Sequence, residues 1–410
     1  MANRFEPERM VHGGYALART PQGEVVLLRG ALPGEVVEAD VERRGGVLRG
    51  RVTRVVRPSP DRVEAPRHPG LDLGFAAYEA QLGLKRDVLA DAAHRAGLAL
   101  PEGVPDVRPS PRTWGYRSVV QPAVQAGRLG FRREGATEIV PLDGDPTAMP
   151  SVRAAWDAVA ELPPPSGVEE VVIRGTEAGE ALVAWIADAP ASALLDPAHA
   201  LVRAGVAGVA RAPRDARGRF RSGKERLAGA RELRERYGRV EVSVSATAFA
   251  QPNPAAAGAL FDALADLAPG GARAVELYAG SGVGAMHLAD RYDEVVAVEV
   301  AHELVARGRR DVARAGLAGV RVERGDARRA SLAGADTVLL DPPRAGASKG
   351  LRDAVTASPA ATVLYVACDV ATWARDVAAW TAQGWRLVHV EPFDFQPHTH
   401  HLELLSRLDR

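Results

Sequence analysis

Apolar residues fall in short alternating runs at the start of the chain and in longer buried-looking runs near its end. Residues 23–29, 35–41 and 47–56 alternate with a period of two and are separated by Gly and Pro. Strands at this spacing predict a small closed β-barrel, of the size that often binds oligonucleotides. A Pro-punctuated linker follows, and residues 76–95 carry helical periodicity with few breakers. Further runs at 127–133, 168–174 and 181–187 predict strands of an irregular α+β domain. From residue 239 onward apolar strands and amphipathic helices take turns. The strands are predicted at 272–277, 294–298, 320–323, 336–340, 361–366 and 385–391, with helices between the first five. That rhythm implies a mostly parallel, doubly wound sheet. The expected domains are 1–62, 63–240 and 241–410, consistent with 410 residues at roughly 100–200 per domain.

Charge refines this picture. Fifty-two basic residues balance 52 acidic ones, so affinity for a polyanion must come from local clusters. Arg49, Arg51 and Arg54 crowd the last barrel strand with few acids nearby in sequence, and strand alternation aligns several arginines there on one side. They are the candidate RNA-binding residues. A second basic stretch, residues 211–226, has only Asp215 and Glu225 as acids; it reads either as a solvated loop or as another phosphate-binding surface. Cys368 is the one cysteine, which excludes an internal disulfide and any multi-cysteine metal or iron–sulfur site. No metal site is expected, His398, His400 and His401 having no companion ligands at zinc spacing. With no signal peptide and no run of ~20 apolar residues, a cytoplasmic protein fits and a membrane partner does not.

Candidate chemistry gathers at the carboxyl ends of the predicted parallel strands, where open α/β sheets place ligands. Gly280, Gly282 and Gly284 form a loop between a strand and a helix. Their alternation differs from the G-x-G-x-x-G of a dinucleotide fold. Glu276 precedes them, and Glu299 ends the next strand, where a carboxylate can accept ribose hydroxyls. Asp326 follows the third strand and serves either an adenine or a helix cap. Asp341 ends the fourth strand before two prolines, and Cys368 ends the fifth beside a helix start, a position expected to ease thiol ionisation.

Together these motifs resemble the RNA 5-methyluridine methyltransferase family. The set is Phe249-Ala-Gln-Pro-Asn253, Glu276-Leu-Tyr-Ala-Gly-Ser-Gly282, Asp341-Pro-Pro-Arg344, the stretch from Cys368 to Asp376, and Pro397-His-Thr-His-His-Leu-Glu403. Gly30-Ala-Leu-Pro-Gly-Glu-Val36 and Pro58-Ser-Pro-Asp-Arg-Val63 resemble the family's TRAM barrel; Trp114-Gly-Tyr-Arg117 and Leu129-Gly-Phe-Arg-Arg133 resemble its central domain. The resemblance implies a Rossmann-like methyltransferase domain behind an N-terminal OB-type barrel and a central α+β domain. It implies S-adenosylmethionine as cofactor and transfer or ribosomal RNA as substrate. Cys368 would be the nucleophile and Glu403 the base that removes the proton from carbon 5. Gln251, Tyr278, Gly280, Gly282, Glu299, Asp326 and Asp341 would line the cofactor site. The chain departs from the family in having Ala367-Cys368-Asp369-Val370 for the common Ser-Cys-Asn-Pro, Gln396-Pro397 for Phe-Pro, and Ala279 for a cysteine. Some relatives hold an iron–sulfur cluster, but residues 66–78 contain no cysteine. Two rivals stand beside this reading. An RNA 5-methylcytosine methyltransferase usually needs a second cysteine, absent here; a non-catalytic RNA-binding protein has little use for the thiol and acids at converging strand ends. Which RNA, which uridine and which oligomeric state are left open by the sequence.

Overall fold

The computed structural model describes residues 3–133, 135–214 and 224–410. Its contacts divide the chain into two units: Met1–Arg67, Leu71–Ser110 and Ser331–Arg410 form one, and His68–Gly70 with Pro111–Ala330 the other.

The first unit opens with a six-stranded sheet in the order Asn3–Phe5, Val36–Arg44, Val47–Arg57, Val25–Arg29, Tyr15–Arg19, Arg9–Val11. A closed barrel was the expectation; among the described residues the ladder instead ends at Asn3–Phe5 on one side and Arg9–Val11 on the other. Alternation buries Phe5, Met10, Ala16, Ala18, Val26, Leu28, Val37 and Ala39 on its inner face. Two of the quoted motifs meet at its rim. Glu35, fully buried, accepts from Arg62 Nε at 2.5 Å and Nη2 at 2.7 Å, and from the main-chain N–H of Leu32 and Ser59. Burial works against its ionisation, but Arg62 and those N–H groups outweigh it and hold the carboxyl below its ordinary value. Removing one partner from such a buried pair costs roughly 3–5 kcal/mol.

The helix Tyr78–Arg95 follows, and the unit is completed by strands in the order Thr337–Leu340, Thr362–Ala367, Glu403–Asp409, Arg386–Phe393. The first two are parallel; Glu403–Asp409 runs antiparallel to both of its neighbours. That last strand was not foreseen. Leu402, Leu404, Leu405 and Leu408 do not alternate, because a strand covered on both faces has no polar side to show. Helix Val370–Thr381 is fastened to the sheet by polar contacts inside the core: Trp373 Nε1 donates to Ser406 Oγ at 2.8 Å, and Tyr365 Oη to buried Asp376 at 2.8 Å.

The second unit contains a mixed sheet between residues 119 and 229, packed around Trp156 and Trp185 with helices Pro150–Glu161 and Ala191–Arg203. Its other portion is a parallel trio ordered Val320–Arg324, Tyr292–Glu299, Gly271–Leu277. Helices Val283–His287 and His302–Ala315 connect the trio. After the third strand the expected helix is only a single 3-10 turn, Ala327–Arg329. Of the basic stretch 211–226, residues 215–223 lie outside the described residues. No described helix is long and apolar enough to cross a membrane.

Candidate active site

Strand register gathers the candidate catalytic residues in one corner of the first unit. In the antiparallel pair of Thr362–Ala367 with Glu403–Asp409, Ala367 faces Leu404. The ladder ends there: Cys368 is the next residue after Thr362–Ala367, and Glu403 is the first residue of Glu403–Asp409. Asp341 follows the buried strand Thr337–Leu340, whose parallel register pairs Leu340 with Tyr365. Thiol, base candidate and Asp341 thus occupy one end of three neighbouring strands.

Electrostatics agree with this proximity and correct one expectation. The Cys368 thiol is pushed up to about 12, chiefly by desolvation and then by the charges of Glu403 and Asp341, with Arg344 opposing. The helix start after Cys368 therefore does not leave it readily ionised; partial burial among acids dominates. Burial likewise drives Glu403 well above its ordinary value, Asp341 adding to the rise and Arg344 reducing it. Asp341 itself is raised to about 7 by desolvation. Arg344 is the cation common to Cys368 and Glu403, and it donates to His401 Nδ1 at 2.6 Å. His401 suits that acceptor role: desolvation and the charges of His400 and Arg344 lower it to about 3, so it is neutral.

The three histidines serve separate partners. His398 Nδ1 lies 3.0 Å from Gln81 Nε2, and its main-chain N–H donates to Gln81 Oε1 at 2.7 Å. His400 donates its main-chain N–H to Asp72 at 3.0 Å and sets its ring against the same carboxylate. Together with the buried pair Lys85–Asp394 at 2.7 Å, these bonds pin the loop that leads into the Glu403 strand. Sequence reasoning missed Lys85, Asp72 and His12. Only the pairing of His12 with two following glycines could have drawn attention to that last residue.

In the second unit the glycine loop has the strained backbone a ligand-approach turn needs. Tyr278, Gly280 and Gly282 have φ of 61°, 57° and 80°, and a Cβ on Gly280 would meet nothing within 4 Å. Glu299 accepts from Gly280 N at 3.0 Å and Ala301 N at 2.7 Å, fixing the loop against the end of the second strand. Glu276 is buried and accepts from Ala285 N at 2.8 Å, an internal brace. Gly308 in the following helix admits the loop: a Cβ there would sit 2.5 Å from the Ser281 carbonyl. Asp326 caps the 3-10 turn through Arg328 N and grips the Arg328 side chain, the hydrogen bond to that guanidinium lowering it to about 2. Tyr278 is raised by desolvation, Arg328 opposing and Asp326 reinforcing, so the three share one neighbourhood. Gln251 is held by its carbonyl, which accepts from Tyr237 Oη at 3.2 Å, and Asn253 caps helix Pro254–Leu267.

The basic face of the N-terminal sheet has the expected alignment, through an unexpected device. Arg49 and Arg51 stand opposite Glu42 and Asp40, while Arg54 stands opposite Glu38. Strict alternation would turn Arg54 to the other face. The register shifts between Glu38 and Ala39, leaving Thr53 as an extra residue that restores all three arginines to the outer face. Arg54 is not idle there, since its guanidinium forks onto Glu38 at 2.6 and 2.9 Å.

The fold and this arrangement define an RNA methyltransferase. A protein of Streptomyces avermitilis named as an uncharacterized RNA methyltransferase is 32% identical over 100% of the chain and 99% of its own length. The 23S rRNA (uracil(1939)-C(5))-methyltransferase RlmD of Alkalilimnicola ehrlichii is 32% identical over 97% and 94%. Among solved structures, the tRNA (uracil-54, C5)-methyltransferase of Pyrococcus abyssi in complex with S-adenosyl-L-homocysteine superposes with a TM-score of 0.81 at 25% identity, covering 98% of this chain and 99% of that one. No family model matches the chain. More particularly, the chain belongs to the RNA 5-methyluridine methyltransferase family.

Proposed function

We propose that this enzyme transfers a methyl group from S-adenosylmethionine to carbon 5 of a specific uridine in structured ribosomal or transfer RNA, through a covalent bond between Cys368 and the uracil. The observation that carries the reading is that Cys368 and Glu403 adjoin the last pair, Ala367–Leu404, of one antiparallel ladder, and that Glu403 and Asp341 both act on the thiol. Carbon 5 of uracil is a weak nucleophile. Addition of the Cys368 thiolate at carbon 6 breaks the 5,6 double bond and moves its electron pair toward carbon 5 as an enolate. S-adenosylmethionine supplies the methyl group as a sulfonium electrophile. Glu403 then takes the carbon 5 proton, the double bond re-forms, and the thiolate leaves. A carboxyl raised by burial is the stronger base once ionised.

Gln251, Tyr278, Gly280, Gly282, Glu299, Asp326 and Asp341 hold the cofactor in this reading. Its support is the open main chain at Gly280 and the acid that ends the second strand. The target base must leave its stack to reach a half-buried thiol, and gripping folded RNA meets that need. Arg49, Arg51 and Arg54 serve this, within an RNA-binding module of residues 1–62; residues 63–240 add a second such domain and 241–410 the transferase. A cytoplasmic enzyme is the reading that suits such a substrate. The test is to map 5-methyluridine in cellular RNA with the protein, without it, and with Cys368→Ala. One or more sites should vanish in the last two; their persistence with Cys368→Ala defeats the covalent mechanism.

A further inference from the structure

His12 opens the tight turn His12-Gly13-Gly14 between strands Arg9–Val11 and Tyr15–Arg19. The turn is wedged in place. The Gly14 carbonyl accepts from Arg29 Nη1 at 3.1 Å; the same guanidinium donates to Asp72 at 2.9 Å, and Asp72 in turn holds His400. A Cβ on Gly14 would collide with Arg29 and Asp72 at 2.6 Å, so only glycine permits this approach. From the tip His12 Nε2 reaches Asp369 Oδ2 at 2.9 Å, and His12, Cys368 and Asp369 line one cavity.

Asp369 has two tasks. Its Oδ1 caps helix Val370–Thr381 by accepting from Thr372 N at 2.9 Å; its Oδ2 takes the histidine. The amide common at this place in the family could fill the first task without placing a charge beside the nucleophile. A carboxylate there opposes thiolate formation, as it does for Cys368. We propose that His12 is a positioning residue that holds Asp369 beside Cys368 and, while protonated, cancels its negative charge. Asp369 and His12 then form a matched pair that replaces the neutral amide. The pairing raises His12 above its ordinary 6.5, the hydrogen bond to Asp369 leading and burial and Arg344 opposing. The groups facing the pair are Arg344, His400, His401 and Lys85 around the cavity; Glu403 and Asp341 act on the thiol itself.

The proposal rests on Cys368 as the nucleophile, yet its test needs no RNA. Because Cys368 is the one thiol in the chain, alkylation of the full-length protein by iodoacetamide reads its thiolate directly. Far below the thiol's own titration, log rate rises by one per pH unit. In the wild type the slope should fall below one where His12 loses its proton, since the pair gains a net negative charge there. His12→Ala and His12→Gln should both lose that added flattening and keep only the curvature that Asp341 and Glu403 impose on the thiol, running slower than wild type by about three- to tenfold at pH 6 and converging with it above the histidine's titration. Asp369→Asn added to His12→Ala should recover the loss. Parallel profiles for wild type and His12→Gln, or uniformly faster alkylation of His12→Ala, overturn the proposal. If the profiles behave as expected but Cys368→Ala still methylates RNA, the pair stands and the nucleophile assignment fails.

Discussion

Cys368 and Glu403 each adjoin the Ala367–Leu404 pair that ends an antiparallel ladder, and the charge of Glu403 acts on the thiol. Placement on loops would leave their separation to backbone and side-chain motion. A ladder that ends one residue away restrains it through the backbone.

Glu403→Gln keeps the shape of that corner and removes the proposed base. Addition to carbon 6 and methylation still proceed, but the proton on carbon 5 has no acceptor. A denaturation-resistant protein–RNA adduct should accumulate, visible as a band shift on a denaturing gel. Absence of the adduct under conditions where wild type turns over counts against Glu403 as base.

The pH dependence follows from the signs of the shifts. Cys368, Glu403 and Asp341 are all raised, so each is more fully deprotonated as pH climbs. Single-turnover methyl transfer should increase between pH 6 and pH 9. The gain should fall short of the roughly tenfold per unit of an isolated thiol, because Asp341, raised to about 7, becomes a charge that opposes the thiolate, and His12 loses its positive charge as pH rises. A rate falling throughout that range would contradict the assignment.

Replacing Arg49 and Arg51 with Gln should weaken RNA binding and reduce the salt slope by roughly 0.7–0.9 for each phosphate that is no longer neutralised. Arg54→Gln should matter less, since its guanidinium must leave Glu38 to meet a phosphate. Equal slopes for the double variant and wild type would move the binding surface elsewhere.

Gly308→Ala should push the glycine loop off its helix, the new methyl meeting the Ser281 carbonyl at 2.5 Å. Overpacking of this kind costs about 1–3 kcal/mol. Calorimetry should show S-adenosylmethionine binding weakened about tenfold or more; unchanged affinity would detach the loop from the cofactor.

Several strands were legible because alternation and buried apolar runs survive in the sequence: 181–187 was placed to the residue, and 320–323 and 361–366 to within one. The proposed nucleophile and base, Cys368 and Glu403, were singled out through motifs. Their shared place at the end of one ladder was not foreseen, since it depends on Glu403–Asp409 forming a strand, and that segment's leucines carry no period of two. The thiol's environment was misjudged for a related reason. A helix start is visible in sequence, whereas the burial that outweighs it, and the carboxyls of Glu403 and Asp341 that add to it, arise only on folding. His12 lies 357 residues from Asp369, beyond any local pattern.

Thr53 has no charge and no catalytic part, yet it decides which way Arg54 points. A homologue lacking one residue there would retain every arginine in an alignment while presenting a different electrostatic footprint to its polyanion. Counting basic residues along this strand is therefore a poor guide to specificity across relatives, and the parity of the spacing between them is the better one.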